Sequence, residues 1–194
     1  NNNAQGEYYL TDIIALAVDD GNEILTTQVE QCYEVEGIND RKQLASLERI
    51  FQRGIAEKLL LDGIGLADPD RLDVRGELNV GNDSFIDINC VFEGKVDLGT
   101  GVNIGPGCVI KDSIIASDCI IKPYSVIENA SIDKQTEVGP FARIRPGVHL
   151  KENSRVGNFV EMKNTVLGEN SKASHLSYLG DSEIGRNVNI GAGT

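Results

Sequence analysis

Arg145 and Lys163 are separated by eighteen residues, and His175 follows twelve residues later, so two permanent cations and one group that titrates near neutrality occupy one short stretch. A guanidinium offers a bidentate fork and an ammonium a point charge; held side by side, two such cations repel unless an anion lies between them. The pair is read as a phosphate clamp, against the alternative of two solvated surface cations. A neutral imidazole can take a proton from an attacking amine, which is general-base chemistry. A lone histidine is more often a surface or satisfied core residue, so His175 by itself leaves both roles open. His149 sits in no comparable motif and is read as exposed.

The clamp exists only if eighteen residues return the chain to the same place, and the intervening sequence says that they do. From Val80 to Ile190 an aliphatic or similar apolar residue recurs every six positions, as in Ile86, Phe92, Leu98, Ile104 and Ile110, and later in Val138, Ile144, Leu150, Val156 and Met162. Four steps are five residues, ending at Ile115, Ile132, Leu167 and Ile184, and each falls on every third unit. That period is neither 3.6 nor 2.0. It implies coils of three flat faces starting at Leu98, Ile115, Ile132, Leu150, Leu167 and Ile184, the pattern of hexapeptide β-helix repeats. Position one points inward, and so does the small fifth residue, as at Ser125, Ala142, Ser154, Val160 and Ser171. Glycines at position two, among them Gly99, Gly157, Gly185 and Gly191, mark corners with little room for a Cβ. Arg145 and Lys163 both hold position two, one coil apart, which predicts one strand spacing between them.

Composition narrows the function. The 194 residues carry a net charge of -12, the wrong sign for general binding to nucleic acid or anionic membrane, although a few cations can still hold one small phosphate. There is neither a run of about 18 apolar residues nor a signal-peptide pattern, which is read as no membrane span and a cytoplasmic protein. Four cysteines form no Cys-x-x-Cys pair; Cys90, Cys108 and Cys119 take the inward fifth position and are read as small buried hydrophobes, and Cys32 carries no signal. The chain starts at Asn1-Asn2-Asn3 without a Met and stops in mid-coil at Thr194, and is read as a piece of a longer protein.

Ahead of the repeats, residues 11–20 predict a helix capped by Thr11 or Asp12 and ended by Gly21, and residues 23–29 predict a strand. Leu44, Leu47, Phe51, Ile55 and Leu59 mark one apolar stripe of a helix over about residues 41–61, ended by Asp62-Gly63. Asn39 stands where a helix cap would.

Several phrases carry a family resemblance: Gly6-Glu7-Tyr8-Tyr9-Leu10-Thr11-Asp12, Glu34-Val35-Glu36-Gly37-Ile38-Asn39-Asp40-Arg41, Gly139-Pro140-Phe141-Ala142-Arg143-Ile144-Arg145-Pro146-Gly147, Val156-Gly157-Asn158-Phe159-Val160-Glu161-Met162-Lys163, His175-Leu176-Ser177-Tyr178-Leu179-Gly180-Asp181 and Asn187-Val188-Asn189-Ile190-Gly191-Ala192-Gly193-Thr194. In this order they resemble the bacterial bifunctional N-acetylglucosamine-1-phosphate uridyltransferases and glucosamine-1-phosphate acetyltransferases, and the resemblance covers the whole chain. It implies a mainly β protein: residues 1–41 as the α/β tail of a nucleotidyltransferase domain, 42–62 as a linker α-helix, and 63–194 as a left-handed parallel β-helix of hexapeptide repeats that forms a homotrimer.

The implied chemistry is acetyl transfer from acetyl-CoA to the amine of glucosamine 1-phosphate, followed in the intact enzyme by uridylyl transfer from UTP with Mg²⁺ to give UDP-N-acetylglucosamine. Matched phrase by phrase, His175 becomes the catalytic base, Arg145 and Lys163 the phosphate contacts, Tyr178 and Asn189 the sugar and phosphate contacts, Glu161 an orienting partner, and Ala192 a backbone contact to acetyl-CoA. Asn39 matches a residue that contacts Mg²⁺ and the sugar nucleotide, a role it could combine with capping. The glycine-rich nucleotide loop is missing, so uridylyl transfer is expected to be absent from this chain, and substrate binding to be weak with little or no turnover. Two rival readings stay open: another hexapeptide acyltransferase, and a non-catalytic β-helix that serves for trimerisation. A β-helix carbonic anhydrase needs three histidine ligands, and two are present.

Overall fold

The computed structural model describes residues 9–193. Residues 6–8 of the first family phrase and Thr194 of the last lie outside the described residues. The chain forms two compact units, residues 1–44 and 45–194.

In the first unit, α1 (Asp12–Asp19) is preceded by Thr11, whose backbone is already helical at φ -63° and ψ -21° and whose side chain makes no cap hydrogen bond. A capping hydroxyl needs an extended backbone to reach back to the first turn, so the expected cap does not form. The far end does match expectation: Gly21, at φ +77°, lets its own N–H reach the Val18 carbonyl at 3.0 Å and that of Asn22 reach Ala17 at 2.9 Å. The strand expected at residues 23–29 is absent. A strand needs a partner ladder, and among the described residues this unit has none. Instead, a short 3-10 turn occupies Cys32–Val35.

Helix α2 (Arg41–Leu61) has the predicted bounds but a different cap. The Asp40 carboxylate accepts the Gln43 N–H at 2.7 Å, and the Gln43 side chain accepts the Asn39 N–H at 2.7 Å. Asp40, not Asn39, is the cap. The buried face of α2 is also rotated from the apolar stripe: Gln52, Ala56 and Leu59 are buried, whereas Phe51 is 62% exposed. The reason is a backbone edge. Val74 opens the first full coil of the second unit with no earlier strand over it, and the Gln52 amide takes that strand's place, donating to the Val74 carbonyl at 2.8 Å and accepting its N–H at 2.8 Å. Leaving those groups unpaired in a buried setting would cost roughly 1–3 kcal/mol each.

The second unit is a parallel β-helix. Every pairing in its sheet is parallel, and the register runs in steps of one coil: Val80 to Leu98, Ile115, Ile132, Leu150, Leu167 and Ile184 along one inner column. Ile86, Ile104, Ile121, Val138, Val156, Ala173 and Ile190 form the second, and Val74, Phe92, Ile110, Ile127, Ile144, Met162 and Leu179 the third. Apart from the partly buried Val80, Ile184 and Ile190, these residues are buried and make one continuous core. The repeat thus begins one unit earlier than Val80, at Val74.

The corners turn on a left-handed residue at position four, for example Asp83, Asp118, Asn153, Asn170 and Asn187 at φ 57° to 60°. In the five-residue units the left-handed residue comes one place sooner, at Asp112, Asn129, Asn164 and Asp181, so the omitted residue is lost from the corner and the inner column is undisturbed. Close stacking explains the position-two glycines: a Cβ on Gly157 would lie 1.7 Å from the Ser174 carbonyl oxygen. Gly185 and Gly191 meet nothing within 4 Å, because no described coil lies over them.

Small fifth residues do more than fill space. Their hydroxyls and thiols donate to corner carbonyls of the next coil: Ser84 to Gly99 at 3.0 Å, Cys108 to Lys122 at 3.3 Å, Cys119 to Asp133 at 3.1 Å and Ser171 to Gly185 at 2.7 Å. Ser125 instead donates within its own corner, to the Lys122 carbonyl at 2.9 Å, and Ser154 is buried with no partner for its hydroxyl among the described residues.

Candidate active site

Arg145 and Lys163 follow Ile144 and Met162, which are registered on neighbouring coils, so the two cations stand one above the other on a single edge. The whole ladder on that edge is informative. Arg75 pairs in register with Glu93, Glu93 with Lys111 and Lys111 with Glu128, and the next two rungs carry Arg145 and Lys163. Signs alternate up to Arg145 and then repeat, with no carboxylate between the last two cations on this ladder. Lower on the edge one in-register pair closes, Arg75 with Glu93 at 3.1 Å, while Glu128 turns sideways to Arg143 at 2.8 Å and Lys111 has no ion pair among the described residues. Arg145 instead reaches sideways to Glu161, with its guanidinium donating at 2.8 Å, and among the described residues Lys163 has no carboxylate partner. Glu161 is thus brought to Arg145.

Position six faces outward from the strand leading to the same column. Tyr178 stands there, in register with Glu161, and is 52% exposed. One further residue along the strand is Leu179, and the next, Gly180, registers with Lys163. The phenol lies along the strand toward this edge, since a Cβ built on Gly180 would lie 2.7 Å from the Tyr178 hydroxyl oxygen.

His175 opens the same strand segment from the preceding corner, exposed, in register with Asn158. At about 3.3 Å per residue, the five steps from His175 to Gly180 span no more than roughly 17 Å. The imidazole and the cation pair therefore lie at the two ends of one face. Ala173 registers with Ile190, so Ala192, two residues on, comes over His175; the adjacent rung is closed by the Gly193 N–H donating to Leu176 at 2.7 Å. Asn189 is exposed on that uppermost coil, in register with Lys172 just before the corner. Along this face lie His175, Tyr178, Arg145 and Lys163, with Ala192 on the coil above His175; Asn189, registered with Lys172, belongs to the face before the corner.

Two sequence readings need correction. His149 is not simply exposed: half-buried, its ring pairs with Asp133 at 2.9 Å across one rung. Asn39 belongs to the other unit, where it lies exposed with its side chain outside the helix cap. The buried cysteines take the inward positions expected of them, and desolvation pushes Cys90 and Cys119 up to about 11 and Cys108 up to about 12.

A stacked parallel sheet closed into three-faced coils, with a cluster of cations and one exposed imidazole along a face, defines the hexapeptide-repeat β-helix class. The chain is 58% identical over all 194 residues to the bifunctional protein GlmU of Marinobacter nauticus and 55% identical to that of Acinetobacter baylyi, covering 43% of each. The likeness runs along the whole chain, which spans less than half the length of these relatives. Residues 74–145 match the family described as the GMPPB C-terminal domain. Among solved structures, the acetyltransferase domain of PglB from Neisseria gonorrhoeae is similar at 20% identity and a TM-score of 0.48, covering 62% of this chain and 58% of that one.

Proposed function

We propose that the β-helix carries the acetyl-transfer site of a glucosamine-1-phosphate acetyltransferase, with acetyl-CoA as donor. The observation that carries the reading is the break in charge alternation at Arg145 and Lys163, two cations on consecutive rungs that an anion would hold together. In this reading the sugar's phosphate lies on that edge, Tyr178 and Asn189 contact the sugar and its phosphate, and Ala192 offers backbone to acetyl-CoA. The amine reaches toward His175. Its neutral imidazole takes a proton as the nitrogen attacks the thioester carbonyl; a C–N bond forms, the C–S bond breaks, and coenzyme A departs as a thiol. Similarity to two bifunctional GlmU proteins along the full chain supports the same assignment.

For the intact protein we further infer a cytoplasmic homotrimer that also transfers a uridylyl group from UTP with Mg²⁺, yielding UDP-N-acetylglucosamine. No helix among the described residues is long and apolar enough to cross a membrane. An exposed edge column of Tyr124, Phe141 and Phe159, with ring centroids 5.3 and 5.4 Å apart, favours burial against another subunit. Among the described residues no group of three or more His, Cys, Asp or Glu could hold a metal. Asn39 alone does not make a Mg²⁺ site, so no step is assigned to the metal here.

Isothermal titration tests the central claim. Glucosamine 1-phosphate should bind the chain more tightly than glucosamine, and Lys163→Ala should abolish the difference. Equal affinity for both ligands in the unaltered chain would overturn the clamp.

A further inference from the structure

On the edge that carries Arg145 and Lys163, each lower rung bears a long side chain at position two; the rung above Lys163 bears Gly180 instead. The usual reasons for glycine do not apply there. Its φ is not positive, and the atoms nearest a built Cβ are not backbone: they are the Tyr178 hydroxyl oxygen at 2.7 Å, Cε1 at 2.9 Å and Cζ at 3.0 Å. At Gly157, by contrast, the obstacle is the Ser174 backbone, so there the glycine serves stacking. Gly180 is bare where the ring of Tyr178 lies.

Tyr178 is half exposed, its hydroxyl makes no hydrogen bond among the described residues, and its ring lies over the open surface that Gly180 leaves. Where Gly180 registers with Lys163, that surface leads onto the cation edge. A methyl group at position 180 would lie inside contact distance of the last three ring atoms named. The flexible phenol, not the coil, would give way, swinging the hydroxyl off the edge.

We propose that Gly180 is a positioning residue for the sugar-phosphate subsite: its missing side chain is what allows the Tyr178 hydroxyl to converge with Arg145 and Lys163 on one anionic ligand. The proposal rests on the clamp reading above and adds to it a residue that touches no ligand. It also implies a size limit, since any residue larger than glycine at this position narrows the same shelf.

Titration of glucosamine 1-phosphate into the chain, into Gly180→Ala, into Tyr178→Phe and into the double variant tests it. Gly180→Ala should weaken binding about tenfold, the scale of one hydrogen bond to a charged group. The loss should be much smaller when made in the Tyr178→Phe background, because the hydroxyl being misplaced is already gone. The melting temperature of Gly180→Ala should stay close to that of the unaltered chain, which separates displacement of a ring from damage to the coil. In an acetyl-transfer assay of the intact protein, KM for the amino sugar phosphate should rise while KM for acetyl-CoA holds. Unchanged affinity in Gly180→Ala, or an equal loss in both backgrounds, overturns the role of Gly180 alone. Failure of the unaltered chain to prefer glucosamine 1-phosphate over glucosamine overturns the clamp reading beneath it.

Discussion

At the scale of single residues, chemistry depends on which groups are left without protein partners. Lys163 has no carboxylate partner and the His175 imidazole no hydrogen bond among the described residues, whereas Arg143 is tied to Glu128 at 2.8 Å and Arg155 to Glu137 at 2.7 Å. If His175 is the base, His175→Ala in the intact protein should lower acetyl-transfer kcat by about 10²–10⁴ and leave the affinity for glucosamine 1-phosphate nearly unchanged, a split that kinetics and titration together read out. An equal loss of both would place the imidazole in binding instead. The thiols give a second residue-level expectation. Native protein treated with a disulfide reagent near pH 8 should yield one reactive thiol, Cys32, because Cys90, Cys108 and Cys119 are buried and held protonated by desolvation. Their raised values also fix a sign. Protonated burial contributes stability that is complete below the ordinary thiol value of 9.0 and is lost as pH climbs toward about 11. Thermal melts should fall across that window, and Cys90→Ala with Cys119→Ala should flatten the fall.

At the scale of elements, the solenoid has to satisfy backbone at its corners and at its first edge. Gln52 does so for Val74 with two hydrogen bonds from the side chain of a helix, so Gln52→Leu should destabilise by roughly 2–4 kcal/mol, seen as a lower midpoint in urea. A shift within error would mean that water replaces the amide at no cost. The fifth-position hydroxyls offer an internal comparison. Ser171→Ala removes a donor to the Gly185 carbonyl and should cost about 1 kcal/mol, whereas Ser154→Ala removes a buried hydroxyl with no partner and should be neutral or stabilising. The six-residue period shows which positions point inward but not what the inward hydroxyls bond. Comparing each residue with the one fourteen or fifteen places on would have found those carbonyls.

At the scale of the molecule, each coil touches only its neighbours, so the coil and not the strand is the unit of tolerance. Deleting residues 115–131 removes one whole turn and sets Ile132 where Ile115 was; the product should keep its β-sheet circular dichroism and lose some thermal stability. Deleting residues 115–120 alone rotates every later residue by one face, parting Arg145 and Lys163 from their present neighbours below, and should give an insoluble or unfolded product. A folded six-residue deletion would contradict the register.

The sequence by itself determined the coil: the period, the position of each shortened unit, the inward residues and the stacking of Arg145 on Lys163 all follow from spacing, because a repeat turns distance along the chain into distance in space. The bounds of α2 were legible for a similar reason, being local. Tertiary structure alone decided which face of α2 is buried, since an unpaired strand edge drew Gln52 inward past the more apolar Phe51. It also decided against a strand at residues 23–29, where propensity had no partner ladder to act on. The role of Gly180 was hidden in the same way: glycine marks corners elsewhere in this chain, and only the placement of the Tyr178 ring shows that here the absent side chain clears a shelf beside the cations.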